Sequence, residues 1–445
     1  MWLILLLLIS VVFIIYTTSR LKWHPFFSLI TASFGYGILS GTMSLDDVVI
    51  SINKGFGNTI GYIGIVILAG SVIGKFLEKS GGAFKLASAI LKIAGTKNSP
   101  LALSIIGYFI SIPVFCDSGF IIMAPLIKAI SKHVKISLAT GAIALSLGLI
   151  LTHSLVPPTP GPVAAAGIIN ADLGLVILVG LPVSLAGLIA GWLFSVKIAS
   201  KIHIEPLPDG SEIKTKPAAP PSALKSLLPI MLPVVLIVLR SISMLPSAPF
   251  STGGFSSVIN FAGQPVVALL AGVVLSFLLP ERLTHEMLSP SGWVGEAVAA
   301  AASIIIITGC GGAFGQVIQS SGIGEVINNN LTGIKSFGIL LPVLIAASLK
   351  TAQGSGTVAI ITGASLMAPL LPSLGLDSSL SRAFVVVALG AGGMIASHAN
   401  DSYFWVVTQM SGMSVNQGYR LQTLGTLTVG IAASLAVIIL SLLFL

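Results

Sequence analysis

Long apolar stretches separated by short polar segments make up most of this sequence. The apolar cores that read as candidate membrane spans are residues 2–16, 26–39, 61–74, 173–194, 227–239, 262–279, 297–318 and 424–444. A helix that crosses a bilayer needs about 17–25 apolar residues, so the shorter cores are expected to extend into their flanks. Segments of about 10 alternating residues, which are typical of a membrane β-barrel, do not occur in the pattern. The pattern therefore predicts an all-α integral membrane protein.

The composition places the chain in the same class. Of its 445 residues, 55% are hydrophobic and 8% are charged, and the mean hydropathy is +1.03. A soluble domain carries about 25% charged residues, and no soluble core could hide this much apolar surface. Cys116 and Cys310 both lie in apolar surroundings, which favours a packing role over a disulfide or a metal site. No cofactor and no metal are expected.

The chain contains an internal near-repetition with an offset of about 245 positions. Residues 123–126 (MAPL) return as residues 367–370, and His153, which ends an apolar stretch, corresponds to His398. Duplicated halves with helix breaks at corresponding positions are typical of secondary transporters.

The basic residues orient the chain in the membrane. Lysines and arginines of the first half cluster beside the predicted spans, at residues 20–22, 75–97, 128–135 and 197–225. If these clusters face the cytoplasm, the N-terminus lies outside and residues 44–58 form an outer loop. The net charge of +8 is thus spread along the spans, which argues against a nucleic-acid partner.

Two segments are predicted to be re-entrant hairpins. Residues 100–129 lie between two basic clusters that both face the cytoplasm, so the chain must enter and leave the membrane on one side. The tip of this hairpin is expected near residues 113–119, and its backbone must face protein or water because lipid cannot pair with it. Residues 339–372 form the second predicted hairpin, which enters from the outside with its tip near residues 350–357.

Two further segments are predicted to be broken transmembrane helices. Residues 138–169 are interrupted at residues 153–162 (HSLVPPTPGP), because proline removes an N–H donor and clashes with the preceding turn. Residues 383–412 are interrupted at residues 398–402 (HANDS). Each half of the chain therefore contains a hairpin followed by a broken helix.

The polar, proline-rich segment 201–225 divides the chain into two predicted domains. Residues 1–200 form the first repeat, residues 201–225 a cytoplasmic linker, and residues 226–445 the second repeat. The first half begins outside and the second begins inside, so the predicted fold consists of two inverted repeats, each with a re-entrant hairpin and a broken transmembrane helix.

The hairpin tips and helix breaks are the candidate functional site. Helix N-termini at membrane depth present N–H donors and the positive end of a dipole, which favours an anion such as a carboxylate. The candidate substrate-binding residues at the tips are Ser118, Gly119, Gly354, Ser355, Gly356 and Thr357. The candidates at the breaks are His153, Thr159, His398, Asn400 and Ser402.

Three charged residues lie deep in the predicted membrane region. Lys350 is interpreted as a counter-charge for an anionic substrate, or for Asp401 or Asp117; the alternative is a lysine that snorkels to the outer surface. Asp117 and Asp401 are the predicted proton-coupling residues, with helix capping as the alternative. His153 and His398 could relay protons or bind substrate hydroxyls, or could simply satisfy backbone carbonyls at helix ends.

Other function classes have less support in the sequence. It contains no P-loop, HExxH or GxSxG motif, which leaves ATP-driven transport and hydrolysis without support. A passive channel or facilitator stays open as an alternative, and it would need no titratable groups at the tips. An intramembrane enzyme with Cys116 or Ser355 as nucleophile would leave the two-fold pattern unexplained.

Several of these motifs resemble the gluconate permease family of bacterial sugar-acid:proton symporters. The matching stretches are residues 112–126 (IPVFCDSGFIIMAPL), 153–167 (HSLVPPTPGPVAAAG), 309–324 (GCGGAFGQVIQSSGIG), 354–371 (GSGTVAIITGASLMAPLL) and 396–407 (ASHANDSYFWVV). The resemblance covers essentially the whole chain. It implies proton-driven uptake of gluconate or a related hydroxy acid across the bacterial inner membrane, by a lipid-embedded homodimer of the ion-transporter superfamily.

The resemblance leaves the substrate open. Members of the family also carry D-serine, glycerate and other small acids. Thr159 stands where many members have a histidine (PPHP), which changes a polar group beside the predicted site. The Ser-Asn-Thr tip motif of sodium-coupled relatives is absent from both hairpins, which favours protons over sodium.

Overall fold

The computed structural model describes residues 2–94, 98–205, 220–244, 254–323, 326, 338–399 and 401–445, and within these ranges the chain is helical and contains no strand. Six helices are long and apolar enough to cross a membrane, or up to eight if each of two bent pairs is one span. The predicted all-α membrane class is confirmed.

Helices of the first half run from the N-terminus to the linker. They are α1 (Trp2–Ser19), α2 (Pro25–Ser40), α3 (Leu45–Lys79), α4 (Gly82–Ala94), α5 (Ser99–Ile110), α6 (Cys116–Val134), α7 (Leu138–Leu155), α8 (Pro160–Ile169) and α9 (Leu173–Lys197). A short 3₁₀ turn at Ala199–Lys201 follows. Of the predicted linker 201–225, residues 206–219 lie outside the described residues.

Helices of the second half follow a similar order of long and short elements. They are α10 (Ala223–Ser243), α11 (Gly254–Ala262), α12 (Pro265–Ser276), α13 (His285–Leu288), α14 (Trp293–Ser320), α15 (Leu340–Gln353), α16 (Gly356–Met367), α17 (Leu371–Leu374), α18 (Ser379–Gly393), α19 (Ser402–Met410), α20 (Val415–Gly418) and α21 (Leu424–Phe444). A 3₁₀ turn (Ala368–Leu370) precedes α17, and a π-helical turn (Tyr419–Thr423) precedes α21.

Helix pairings recur between the halves. The contact of α5 with α7 in the first half corresponds to the contact of α15 with α18 in the second. Between the halves, the contact of α2 with α14 corresponds to that of α12 with α3, and the contact of α6 with α19 to that of α8 with α16. Two copies of one arrangement would produce such matched pairs. The direction of each copy in the membrane stays a prediction.

Helices α3 and α14 cross at glycines and form an extensive contact between the two halves. A Cβ atom at Gly55 would lie 2.4 Å from the carbonyl oxygen of Gly312, and one at Gly312 would lie 2.0 Å from Oγ1 of Thr59. Such distances are far below van der Waals contact, so the backbones touch directly. Small residues allow this close approach in membrane helices.

The segment predicted as an outer loop, residues 44–58, is helical instead. Ser44 caps α3 in a capping box with Asp47, whose backbone N–H donates to Oγ of Ser44 at 3.1 Å. Asp46 and Asp47 lie in the first turn, where their charge complements the positive end of the helix dipole. Asp46 and Asp47 therefore help to start a helix within the segment that was predicted to be a loop.

Helices α7 and α8 lie in the interior of the molecule. Every residue of both helices is buried, although their composition is that of a membrane span. A Cβ atom at Gly148 of α7 would lie 2.1 Å from the carbonyl oxygen of Ser104 of α5. The first hairpin segment is thus fixed to the interior broken helix by a direct backbone contact.

The interruptions lie close to the predicted positions but differ in extent. In the first hairpin segment the turn covers residues 111–115, so residues 116–119 already belong to α6; in the second, only residues 354–355 are non-helical. The first break covers residues 156–159. The second begins at residue 394, where the helix ends after Gly392 and Gly393 and needs no proline.

A glycine substitution tests the crossing of α3 and α14. We expect Gly55→Ala to lower the free energy of unfolding by about 1–3 kcal/mol, because the new methyl group forces the helices apart. Gly57→Ala is the matched control, since a Cβ there meets nothing within 4 Å, and Ala favours the helix by up to about 1 kcal/mol. Thermal unfolding in detergent measures both; equal melting temperatures would contradict the crossing.

Candidate functional site

Both predicted hairpin tips and both helix breaks contribute residues to one place in the structure. In α16, Oγ1 of Thr357 lies 3.5 Å from Nε2 of His153, at the end of α7. In α19, Oγ of Ser402 donates to Oδ2 of Asp117, in the first turn of α6, at 3.4 Å. A Cβ atom at Gly161 of α8 would lie 3.9 Å from Cα of Thr357. Polar groups of four helix ends are therefore neighbours.

Lys350 and Asp401 form a buried ion pair at this place. Nζ of Lys350 lies 2.5 Å from Oδ2 of Asp401, and the two residues are 2% and 5% exposed. Nζ also donates to the carbonyl oxygen of Gly354 at 2.5 Å. Asp401 accepts further hydrogen bonds from the hydroxyl of Ser397 and, at 3.1 Å, from the backbone N–H of Tyr403. Both charges are thus compensated, as burial requires.

The ion pair agrees with one of the two interpretations of Lys350, that of a counter-charge for Asp401. A snorkelling lysine would reach the surface, whereas this one ends on a buried carboxylate. Asp401 is also the N-cap of α19, so its two oxygens are occupied by the lysine, a hydroxyl and the helix end. Lys350 therefore ties the turn after α15 to the start of α19.

Asp117 is the less satisfied of the two carboxylates. Its Oδ1 is buried and has no hydrogen-bond partner among the described residues. Among the described residues, its Oδ2 accepts a long hydrogen bond from Ser402. Asp117 also lies within electrostatic range of Asp401 and Lys350. An unpaired buried oxygen has a free-energy cost, which a proton or a ligand can remove.

The two histidines occupy different surroundings despite their corresponding sequence positions. His153 lies within the last turn of α7, is 8% exposed, and its Nδ1 has no partner in the described part of the chain. Its ring lies 6.1 Å from that of Phe115. His398 lies in the second break, where Nε2 donates to the carbonyl oxygen of Thr351 at 3.0 Å. Nδ1 of His153 is thus a buried nitrogen beside the cluster without a partner among the described residues.

The other predicted hairpin residues have identifiable local roles. Gly354 adopts a left-handed conformation with φ 86°, and Ser355 caps α16 by accepting from the N–H of Val358 at 3.3 Å. A Cβ atom at Gly356 would lie 2.8 Å from the carbonyl oxygen of Gly393, so this glycine permits close packing on α18.

The remaining predicted residues divide between helix packing and the cluster. Ser118 and Gly119 lie in the first turns of α6, and a Cβ at Gly119 would contact the side chain of Leu149 at 2.8 Å. Thr159 is buried and donates to the carbonyl oxygen of Val156 at 2.7 Å, so its hydroxyl hydrogen is committed to the backbone. Asn400 lies outside the described residues.

Two of the converging helix N-termini have no side-chain cap. The N-cap residues Phe115 of α6 and Thr159 of α8 make no capping hydrogen bond, whereas Ser355 caps α16 and Asp401 caps α19. The first N–H groups of a helix have no intrahelical acceptor. Uncapped ends of this kind attract anions through their donors and the helix dipole. At α8 the donors are few, because residues 160 and 162 are prolines without an N–H and leave that of Gly161.

A small cavity links the first hairpin tip to a charged region of α3. Its volume is about 50 Å³, and its lining includes Ser71, Lys75, Glu78, Phe115 and Ser118. Lys75 also lies 3.5 Å from Glu296 of α14. A space of this size holds one or two water molecules. Water there would bridge the polar groups of the first hairpin tip and the charged side chains of α3.

Sequence reasoning missed two further polar residues in the second break and the second hairpin tip. Ser397 donates to Asp401, and Gln353 carries a side-chain amide whose nitrogen and oxygen are both buried without a partner among the described residues. Gln353 lies in the tip motif KTAQGSGT, three positions after Lys350. Residues three apart lie on one face of a helix, so this spacing from Lys350 could have identified Gln353 as a candidate.

Comparison with known proteins identifies relatives along the full length. The family model "GntP family permease" matches residues 2–443. The gluconate permease of Pseudomonas aeruginosa is 32% identical over 447 residues, which cover 99% of this chain and 98% of the relative. The D-serine transporter DsdX of Escherichia coli K12 is 31% identical over 444 residues, with coverage of 99% and 98%.

Solved structures share the fold. The YdaH transporter of Alcanivorax borkumensis superposes with a TM-score of 0.66 over 95% of this chain and 99% of that one, at 16% sequence identity. This likeness concerns the arrangement of the helices alone.

A double substitution tests the buried ion pair. Lys350→Met should lower the free energy of unfolding by about 3–5 kcal/mol, because Asp401 keeps a buried charge without its partner. Adding Asp401→Asn removes that charge, so the double variant should regain part of the loss. Thermal unfolding in detergent measures the cycle, and Lys54→Met, at an exposed position of α3, is the control. Strictly additive losses would contradict the pair.

Proposed function

We propose that this chain, which belongs to the GntP family of permeases, is a secondary active transporter that imports gluconate or a related small hydroxycarboxylate by proton symport. That it is a multi-pass membrane transporter and not an enzyme follows from the family and the apolar helices. The observation that carries the proposal is Asp117, a half-buried residue whose Oδ1 is buried without a hydrogen-bond partner among the described residues, at the uncapped N-terminus of α6.

Charge balance at the cluster supports coupling between a proton and an anion. Lys350 and Asp401 neutralise each other, so they leave no net charge. An ionised Asp117 would repel a substrate carboxylate that approaches the N-termini of α6 and α8. Protonation of Asp117 removes the repulsion and supplies a hydrogen-bond donor. The proton and the substrate anion therefore strengthen each other's binding by the same factor.

Polar groups around Asp117 suit a hydroxylated acid. Ser118, Ser402 and Thr357 carry hydroxyls, and His153 offers an unpaired nitrogen. In this proposal the carboxylate binds at the uncapped helix ends and the hydroxyls bind these side chains. Lys350 acts through Asp401 and does not contact the substrate, in contrast to its first predicted role. The relatives named for gluconate and for D-serine make a carrier for another small acid the nearest alternative.

The proposed arrangement in the cell follows the charge pattern. The N-terminus lies outside the bacterial inner membrane, the hairpin α5–α6 enters from the cytoplasm, and the hairpin α15–α16 enters from the outside. The cavity between Ser118 and Lys75 then faces the cytoplasm and offers protons and water a route to Asp117. A homodimer within the lipid bilayer completes the proposal.

Transport by the purified protein in proteoliposomes tests the function. We expect labelled gluconate to accumulate above equilibrium when the outside is more acidic, with unlabelled glycerate and D-serine as competitors. Without a proton gradient the label should only equilibrate. Concentration of a smaller acid in place of gluconate would change the substrate but keep the mechanism. Equilibration that ignores the gradient would favour a facilitator.

Replacement of the carboxylate tests proton coupling. Asp117→Asn keeps the shape but cannot exchange a proton, so gradient-driven accumulation should fall at least about tenfold, whereas gluconate exchange at equal pH should persist. Asp377→Asn is the control, because Asp377 is exposed and far from the cluster along the chain. Accumulation by Asp117→Asn at the wild-type level would remove Asp117 from the coupling mechanism.

A further inference from the structure

We infer that Gln353 is a substrate-binding residue that recognises a hydroxyl group of a polyhydroxy acid. The inference rests on the proposed function and adds a determinant of substrate class to it. It starts from the position of the side chain in the second hairpin segment and from the state of its two polar atoms.

The position of Gln353 directs it toward the cluster. It is the last residue of α15, and Gly354 follows with the left-handed conformation that turns the chain into α16. Residues three apart on a helix share one face. Lys350 lies three residues earlier and reaches Asp401 at 2.5 Å, so Gln353 lies on the helix face that contacts the second break.

The amide of Gln353 is buried at both ends without a protein partner. Neither Nε2 nor Oε1 forms a hydrogen bond with any described residue, and each has almost no exposed surface. Within the described ranges, Gln353 has two such atoms, whereas Gln422 has one, because Oε1 of Gln422 accepts from Ser146 at 2.8 Å. Burial of a whole unpaired amide is unfavourable and calls for an explanation.

The chemistry of an amide selects the group that can satisfy it. Nε2 donates two hydrogen bonds and Oε1 accepts. A carboxylate only accepts and an ammonium only donates, so either would leave half of the amide unpaired. A hydroxyl both donates and accepts, and neighbouring hydroxyls can meet both amide atoms. Gln353 therefore matches the hydroxylated part of a sugar acid, while the helix N-termini match its carboxylate.

Stability separates this role from a structural one. If Gln353 has no protein partner, Gln353→Leu removes two unpaired polar atoms at nearly constant volume. The substrate-free variant should then melt at the same temperature as the wild type or higher, as expected for residues kept for function. A variant that melts lower or fails to fold would show that the amide has a structural role, and would overturn the inference.

Competition with deoxy analogues tests the assignment directly. Displacement of labelled gluconate is measured at equal pH on both sides, for gluconate and for its 3-, 4-, 5- and 6-deoxy forms. Gln353→Leu should bind gluconate about 10- to 100-fold more weakly, the effect of one lost hydrogen bond to a buried polar group. The analogue that lacks the recognised hydroxyl should bind the wild type about as weakly as gluconate binds the variant. Its affinity should fall little further when Gln353 is replaced by Leu.

A control variant and the binding of each acid distinguish failure of the Gln353 assignment from failure of the proposed function. Gln409→Leu, at an exposed position of α19, should bind all the acids like the wild type. Unchanged gluconate binding by Gln353→Leu, or an equal loss for every analogue, would overturn the role of Gln353 alone. Since no proton gradient is applied, failure of proton coupling leaves the result unaffected. If the wild type binds none of the acids, the proposed function and this inference both fail.

Discussion

The ion pair between Lys350 and Asp401 is the interaction on which the functional site depends. Two charges that are 2% and 5% exposed are tolerated only because they are paired and further hydrogen-bonded to Gly354, Ser397 and Tyr403. Their bond joins the turn of the second hairpin segment to the start of α19. It also neutralises the strongest charges of the cluster, so the electrostatics of the site are left to Asp117 and the helix N-termini.

Asp401 and Asp117 therefore have different roles in this account. Asp401 serves the architecture, since the lysine, a hydroxyl and the helix end occupy its oxygens. Asp117 keeps an unpaired oxygen and can change its protonation without breaking an ion pair. A passive facilitator has no need of such a group beside an uncapped helix end. In the proposed mechanism this arrangement accepts an anion together with a proton.

Much of this organisation was predictable from the sequence, because apolar length and helix-breaking residues are local signals. They predicted the long apolar helices at residues 173–194, 227–239, 297–318 and 424–444. They also placed the helix interruptions near residues 111–115, 354–355 and 156–159. The pairing of Lys350 with Asp401 was not predictable, since the partners are 51 residues apart and Asp117 was an equal candidate. Sequence symmetry made His153 and His398 equivalent, but α7 stays helical through Leu155 whereas α18 ends at Gly393. Tertiary packing, which no local signal encodes, sets those differences.

Proton movement caused by substrate alone tests the central claim most directly. Proteoliposomes would carry a trapped pH indicator, with equal pH on both sides and the membrane potential clamped at zero. The account predicts that an inward gluconate gradient acidifies the lumen, at a rate that follows gluconate uptake. It also predicts no acidification in Asp117→Asn liposomes. Gluconate uptake by the wild type without lumen acidification would contradict symport and identify the protein as a facilitator.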